Sequence, residues 1–306
     1  MKSMLNRRIL RIKVFKVIYS RVENPALTAA EAEAELSRSC EATRDLYVRI
    51  LSLCSPLTAE AAARIEAAGS KFNPTEDELH PNLKFVRNAV APLLDADPDF
   101  CKQVKKRKIS WENDDMFLRH LYESVRERPY FKKYLDSPDS SLAQDAALFA
   151  SIFASELPGN PELEAILEDN SLYWNDELEY VINWCCSSLD SIGKGEAWSL
   201  PELYMSDVKG RGESDKAFSV NLLRAAMRNF DSYCSRIAAV TPKWDANRIC
   251  ATDLALIVCG LAEADTFSGI DFKTTINEFV EISKFYSTPE SRSFVNGVLD
   301  KLINKK

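Results

Sequence analysis

The chain reads as all-α. Apolar residues recur at three- and four-residue spacing along almost its whole length, the period of an amphipathic helix. No stretch alternates with period two between hairpin signals. Prolines mostly follow Ser, Thr or Asn, at Asn73-Pro74, Ser137-Pro138, Asn160-Pro161 and Thr288-Pro289, with Ser199 preceding Leu200-Pro201. That is the wording of helix starts. At 306 residues, 46% hydrophobic and 28% charged, the chain falls in the globular class and can bury one large or two modest cores.

In order, a first helix is expected from about Met4 to Arg21, with Leu5, Ile9, Ile12, Val14, Val17 and Ile18 anchoring it. A second, rich in alanine and glutamate, runs from about Thr28 to Ala68 and breaks at Ser55-Pro56. A helical stretch over 71–212 follows, then a helix at Asp215 to Ala239, with Phe218, Leu222 and Met227 at helical spacing, and another at Trp244 to Ala264. Near the end, Thr275 and Glu278 have capping-box spacing, and Thr288 with Pro289 supplies a cap and a first-turn proline. The final helix puts Phe294, Val295, Val298, Leu299 and Leu302 on one arc and Asn296, Gly297, Asp300 and Lys301 on the other. A mid-helix glycine costs roughly 1 kcal/mol relative to alanine. Something is therefore expected to approach Gly297 closely, a neighbouring helix before a ligand.

Composition removes several functions. Arg11, Lys13 and Lys16 interrupt the opening apolar residues and no small-residue cleavage site follows, so neither a signal peptide nor a membrane span is expected, and the protein is read as cytoplasmic. Eight cysteines form no C-x-x-C pair, and His80 and His120 lie far from them in sequence. No metal site is expected, and the vicinal Cys185-Cys186 is read as two ordinary thiols. Nine glycines, with neither G-x-G-x-x-G nor a phosphate-loop motif, imply no nucleotide cofactor. Nucleophilic catalysis has no visible constellation. The chain reads as a binder rather than an enzyme.

Charge is unevenly placed. The net value is −7, yet the first 22 residues hold Lys2, Arg7, Arg8, Arg11, Lys13, Lys16 and Arg21 and no acid, which leaves −14 on the remainder. A basic first helix sits on an acidic body, and local field decides where an anion lands. Arg7, Arg8 and Arg11 occupy adjoining helical positions, and forked guanidiniums suit phosphates and base edges. A second run, Lys102 and Lys105-Lys106-Arg107-Lys108 beside Trp111, is read as a solvated linker before a second RNA contact. The acidic groups Asp114-Asp115 and Glu76-Asp77-Glu78 are read as helix N-terminal charge.

Three segments carry a resemblance. INEFVEISKFY at 276–286 and SFVNGVLDKL at 293–302, the Arg7-Arg8-Ile9-Leu10-Arg11 to Tyr19 segment, and Arg248, Asp253 and Glu263 between Trp244 and Ala264 resemble the NusB family of transcription antitermination and ribosomal RNA processing factors. The resemblance implies a NusB-like helical bundle over 1–70 and 213–306, with 71–212 as a helical insertion. Within the insertion Asp115, Phe117, Leu121, Asp145 and Leu148 echo Asp215, Phe218, Leu222, Asp253 and Leu256, so it is either a degenerate duplicate of the core or an added module. It further implies binding of boxA-type single-stranded RNA with NusE, a small-subunit ribosomal protein, on the transcribing RNA polymerase complex. Arg7, Arg8, Arg11, Tyr19, Glu290, Phe294 and Asn296 match the RNA surface, and Glu263 the partner-facing helix. Where the family usually reads an L-R pair and Y-E-L, this chain has Ile257-Val258 and Ala262-Glu263-Ala264, a departure on the partner side. Two alternatives stay open: a protein scaffold of the same fold whose RNA face is covered, and an accessory domain for RNA modification.

Overall fold

A computed structural model describes residues 3–205, 214–241 and 249–303. Among them lie sixteen helices and no strand. They are α1 (Arg7–Glu23), α2 (Ala29–Leu51), α3 (Cys54–Gly69), α4 (Glu76–Leu79), α5 (Val90–Ala96), α6 (Pro98–Lys106), α7 (Asp115–Glu127) and α8 (Pro129–Asp136). There follow α9 (Leu142–Glu156), α10 (Pro161–Asn170), α11 (Leu178–Gly193), α12 (Asp215–Arg228), α13 (Phe230–Val240), α14 (Ala251–Thr266), α15 (Phe272–Tyr286) and α16 (Ser291–Ile303). The fold is all-α. Two compact units form, Met1–Glu41 with Glu202–Lys306, and Ala42–Pro201. The resemblance implies joints at 70 and 213; the compact units part at 41, inside α2, and at 202.

The first unit is organised by α14, which packs against α1, α12, α13, α15 and α16. Every residue from Ala255 to Glu263 is buried, as expected of a helix apolar all round. Gly260 lets the last helix come close. A Cβ there would meet Leu299 Cδ2 at 2.8 Å and Phe279 Cδ2 at 3.4 Å. At the start of α14 the buried Asp253 accepts hydrogen bonds from Ser287 Oγ at 2.5 Å and Ser291 Oγ at 2.8 Å, tying it to the α15–α16 turn.

The second unit packs α9 against α11, with Gly193 lying beside Ala143 and Ala146. An aromatic cluster of Phe85, Tyr122, Phe131, Phe149 and Phe153 fills its centre. Two buried carboxylates here are paired: Asp145 accepts from Ala89 N–H and Tyr134 O–H, and Glu156 from Arg128, Ser124 and Tyr130.

Several local expectations change. The break after α2 falls at Ser52-Leu53, and Pro56 lies in the first turn of α3. The helix expected over Asp215 to Ala239 is two, divided at Asn229. The cap of α15 is Asp271, not Thr275; Thr275 is fully buried one turn in. The last helix starts at Ser291, after Pro289. Pro161 does open α10, with Asn160 accepting from Glu162 N–H and Leu163 N–H, but Pro201 opens no helix. Among the described residues nothing makes the close approach expected at Gly297, where a Cβ would meet no atom within 4 Å. The crowded glycine is Gly260. The lysine run at 102–108 is no linker: it forms the last turn of α6 and the bend after it. Lys2, Gly210-Arg211-Gly212, Trp244 and Arg248 lie outside the described residues.

Candidate nucleic-acid interface

α1 begins where Asn6 accepts a hydrogen bond from Ile9 N–H at 3.0 Å, a side-chain cap of the usual kind. From there its side chains reach α15 at separate points. Arg8 meets Glu278, and two turns on Phe15 packs on Tyr286 at 5.4 Å between ring centroids, with Lys16 Nζ 5.6 Å from the same ring. Both contacts run in the same chain direction and are bridges of long side chains, while the body of α1 packs on α14 and α12.

The three arginines of the opening motif do different things. Arg7 donates to Asp215 Oδ1 at 3.3 Å and lies 4.6 Å over the Phe218 ring. Arg8 donates from Nε and Nη2 to both Glu278 oxygens at 2.9 and 2.8 Å, with half its side chain, 51%, exposed. Arg11 is buried. Its Nε and Nη2 donate to Glu263 at 2.7 and 2.9 Å, and side-chain exposure is 5% for the arginine and nil for the glutamate. Thr275 Oγ1 donates to the same carboxylate at 2.8 Å.

This corrects two expectations. Arg11 and Glu263 are committed to each other inside the protein, so neither presents its charge to a phosphate or a partner while the pair is intact. Burial of two charges is tolerable only with such bidentate pairing. Val258 and Ala262, the departures on the partner side, are likewise fully buried. Lys13, counted among the free cations of the first helix, is also buried, donating from Nζ to the Ser39 carbonyl at 2.7 Å.

What faces outward is a mixed aromatic and charged strip. Tyr19 is 37% exposed and Phe285 81% exposed, and Lys16 and Tyr286 are half-buried. Glu290 and Asn296 are exposed, and Phe294 is half-buried. Arg8 and Glu278 polarise each other: hydrogen bonding from Arg8 holds the Glu278 carboxyl below the ordinary glutamate value, and the same bond raises Arg8. Glu281, one turn on, is lowered by its hydrogen bond from Lys284, with Arg292 and Arg8 contributing.

The contacts join Arg8 to α15 and Tyr286 to α1, but no hydrogen bond among the described residues links Asn296 or Glu290 to α1. Sequence spacing missed Glu278, the residue that organises the strip. Its place three residues after Thr275 suggested a cap. The discriminating signal was three arginines in the first turns of α1 with no acid among the first 22 residues to pair them.

Residues 192–304 match the NusB family model; the match covers α12 to α16 and leaves α1 outside. The chain is 32% identical to the transcription antitermination protein NusB of Chloroherpeton thalassium over 38% of this chain and 52% of that protein. It is 31% identical to the NusB of Alkaliphilus oremlandii over 31% of this chain and 68% of the relative. For the NusB of Dictyoglomus thermophilum the figures are 33%, 33% and 69%. The chain thus spans about half of the Chloroherpeton protein and about two thirds of the other two. No solved structure matches it.

Proposed function

The chain belongs to the NusB family, and from that premise we propose that it is a non-catalytic RNA-binding antitermination factor of the cytoplasm. It takes boxA-type single-stranded RNA together with a NusE-like ribosomal protein and acts on the transcribing RNA polymerase complex at ribosomal RNA genes. The second unit, Ala42–Pro201, is an addition to the family core. One observation supports the RNA reading: Arg8 on α1 is half exposed where it meets α15, and exposed or half-buried Lys16, Tyr19, Phe285 and Tyr286 lie further along the same two helices. Single-stranded RNA is recognised by charge on its backbone and by aromatic faces on which splayed bases stack. Glu290, in the turn before α16, and Phe294 and Asn296, on α16, extend the proposed surface, whereas Arg7 shapes it through Asp215 and Phe218.

The test is equilibrium binding to a boxA-type strand and a scrambled strand, with and without the NusE-like protein, at two salt concentrations. Sequence-dependent, salt-sensitive binding strengthened by the partner is expected. Arg8→Ala weakens it and lowers the log–log salt slope by about 0.7, the loss of one phosphate contact on a single strand. Salt-independent behaviour with no discrimination would replace this reading with the scaffold, which the occupation of Arg8 by Glu278 favours.

A further inference from the structure

The Ala42–Pro201 unit is acidic, with 17 basic against 27 acidic residues. Five of the 17 fall within 102–108, and none lies between Lys133 and Lys194. Helix α6 delivers this cluster. Asp97 caps it by accepting from Phe100 N–H at 2.8 Å, and Phe100 is buried. Lys102, Lys105 and Lys106 then stand three and four residues apart on the exposed side, neighbours on one helix face. The chain turns at Lys108, whose φ of 53° ends the helix in the left-handed region, and keeps this fourth lysine exposed beside the other three. Arg107 alone turns inward, paired with Asp45 at 2.7 Å and 7% exposed.

Lys102, Lys105, Lys106 and Lys108 make no ion pair among the described residues. Cations at a helix C-terminus gain from the macrodipole, but that effect fades within one turn and needs no cluster of four. Trp111, the aromatic next to the run in sequence, is 5% exposed, donates its indole N–H to Ser52 Oγ at 3.0 Å and lies under Arg49 at 4.3 Å. It offers no stacking face. The ridge therefore has charge without an aromatic reader.

We propose that Lys102, Lys105, Lys106 and Lys108 form a second RNA contact, one that grips phosphates without regard to base sequence. A protein partner is the weaker fit, because protein interfaces centre on apolar and aromatic residues and are depleted in lysine. A polyphosphate needs only charge, since release of its counterions drives binding. The exposed Asp95, Asp99 and Glu112 precede and follow the run in sequence. The proposal goes beyond the boxA reading and rests only on RNA being the ligand.

The test uses the full chain and poly(U), which carries no boxA sequence, in fluorescence anisotropy titrations between 50 and 200 mM salt, with poly(L-glutamate) as a second polyanion. The variant is Lys102→Gln/Lys105→Gln/Lys106→Gln/Lys108→Gln, checked for wild-type helicity by circular dichroism. Four lost contacts at about 0.7 each lower the salt slope by about 2.8, so the affinity ratio between variant and wild type changes on the order of 50-fold across that fourfold salt range. Arg8→Ala, measured on the same probe, keeps most of the slope. An unchanged slope in the four-lysine variant overturns the proposal whatever Arg8→Ala does, and failure of the boxA test with a lysine-dependent poly(U) slope overturns only the boxA reading. Binding of poly(L-glutamate) as tight as poly(U) would reassign the ridge to an acidic protein.

Discussion

Replacing Glu263 by alanine tests the central claim about the first unit, that Arg11 is a structural cation. In the native structure two charge-assisted hydrogen bonds of 2.7 and 2.9 Å join Arg11 to Glu263, and Thr275 Oγ1 adds a third at 2.8 Å. Truncation leaves the guanidinium buried without that partner, a change that costs about 3–5 kcal/mol in comparable sites. Glu278 Oε2 lies 3.7 Å from Arg11 Nη1 and the Phe218 ring 5.4 Å from its Cζ, so the remaining charge keeps some company and the loss should fall near the lower end, about 3 kcal/mol. In urea, with a slope of about 1–3 kcal/mol per molar, the midpoint moves down by roughly 1–3 M. Far-UV circular dichroism is the assay, because Trp111, Trp174, Trp184 and Trp198, four of the five tryptophans, belong to the other unit and would dominate fluorescence. Glu263→Gln, which keeps an acceptor for Thr275, should fall between the two, and the paired Arg11→Met/Glu263→Leu should regain most of the loss by removing both charges. A Glu263→Ala chain within about 0.5 kcal/mol of wild type, the scatter of neutral surface changes, would refute the reasoning.

The Arg8–Glu278 pair should depend on pH in a defined sense. The Glu278 carboxyl is held below its ordinary value, so its contribution is present at and above the ordinary glutamate range and is lost as pH falls through the lowered value. Carboxyl-detected NMR should place the Glu278 midpoint below the ordinary value and return it there in Arg8→Ala; an identical midpoint in both chains would contradict the pairing. Gly260 and Gly297 should respond oppositely. Gly297→Ala has open space around the new methyl and should stabilise by about 0.5–1 kcal/mol through helix propensity. Gly260→Ala drives a Cβ to 2.8 Å from Leu299 and should destabilise by about 1–3 kcal/mol through overpacking, both read from the urea midpoint. Equal shifts of the same sign would mean that crowding by Leu299 does not distinguish Gly260 from Gly297.

Much of this protein is written locally. Helical period, the absence of strand patterning and the Asn160-Pro161 type of start fix an all-α chain before any contact is known, because each depends only on residues a few positions apart. The basic first helix, the apolar arc at Val295, Val298 and Leu299, and the strings that resemble NusB proteins are legible for the same reason. Partner choice is not local. Arg8 and Arg11 have equivalent sequence settings, yet one is half exposed and the other buried, since only the packing of α14 on α1, and of α15 on α14, brings Glu278 to Arg8 and Glu263 to Arg11 across more than 250 residues of chain. Lys13 likewise looks like a surface cation until Ser39 is placed beside it. The roles of the glycines could not be told apart from spacing either, because a glycine's value lies in what stands beside it: Leu299 at Gly260 and open space at Gly297. Sequence determined which elements form and where charge accumulates; the tertiary structure decided which charges remain available to a ligand, because a Coulomb partner distant in the chain is invisible until the helices meet.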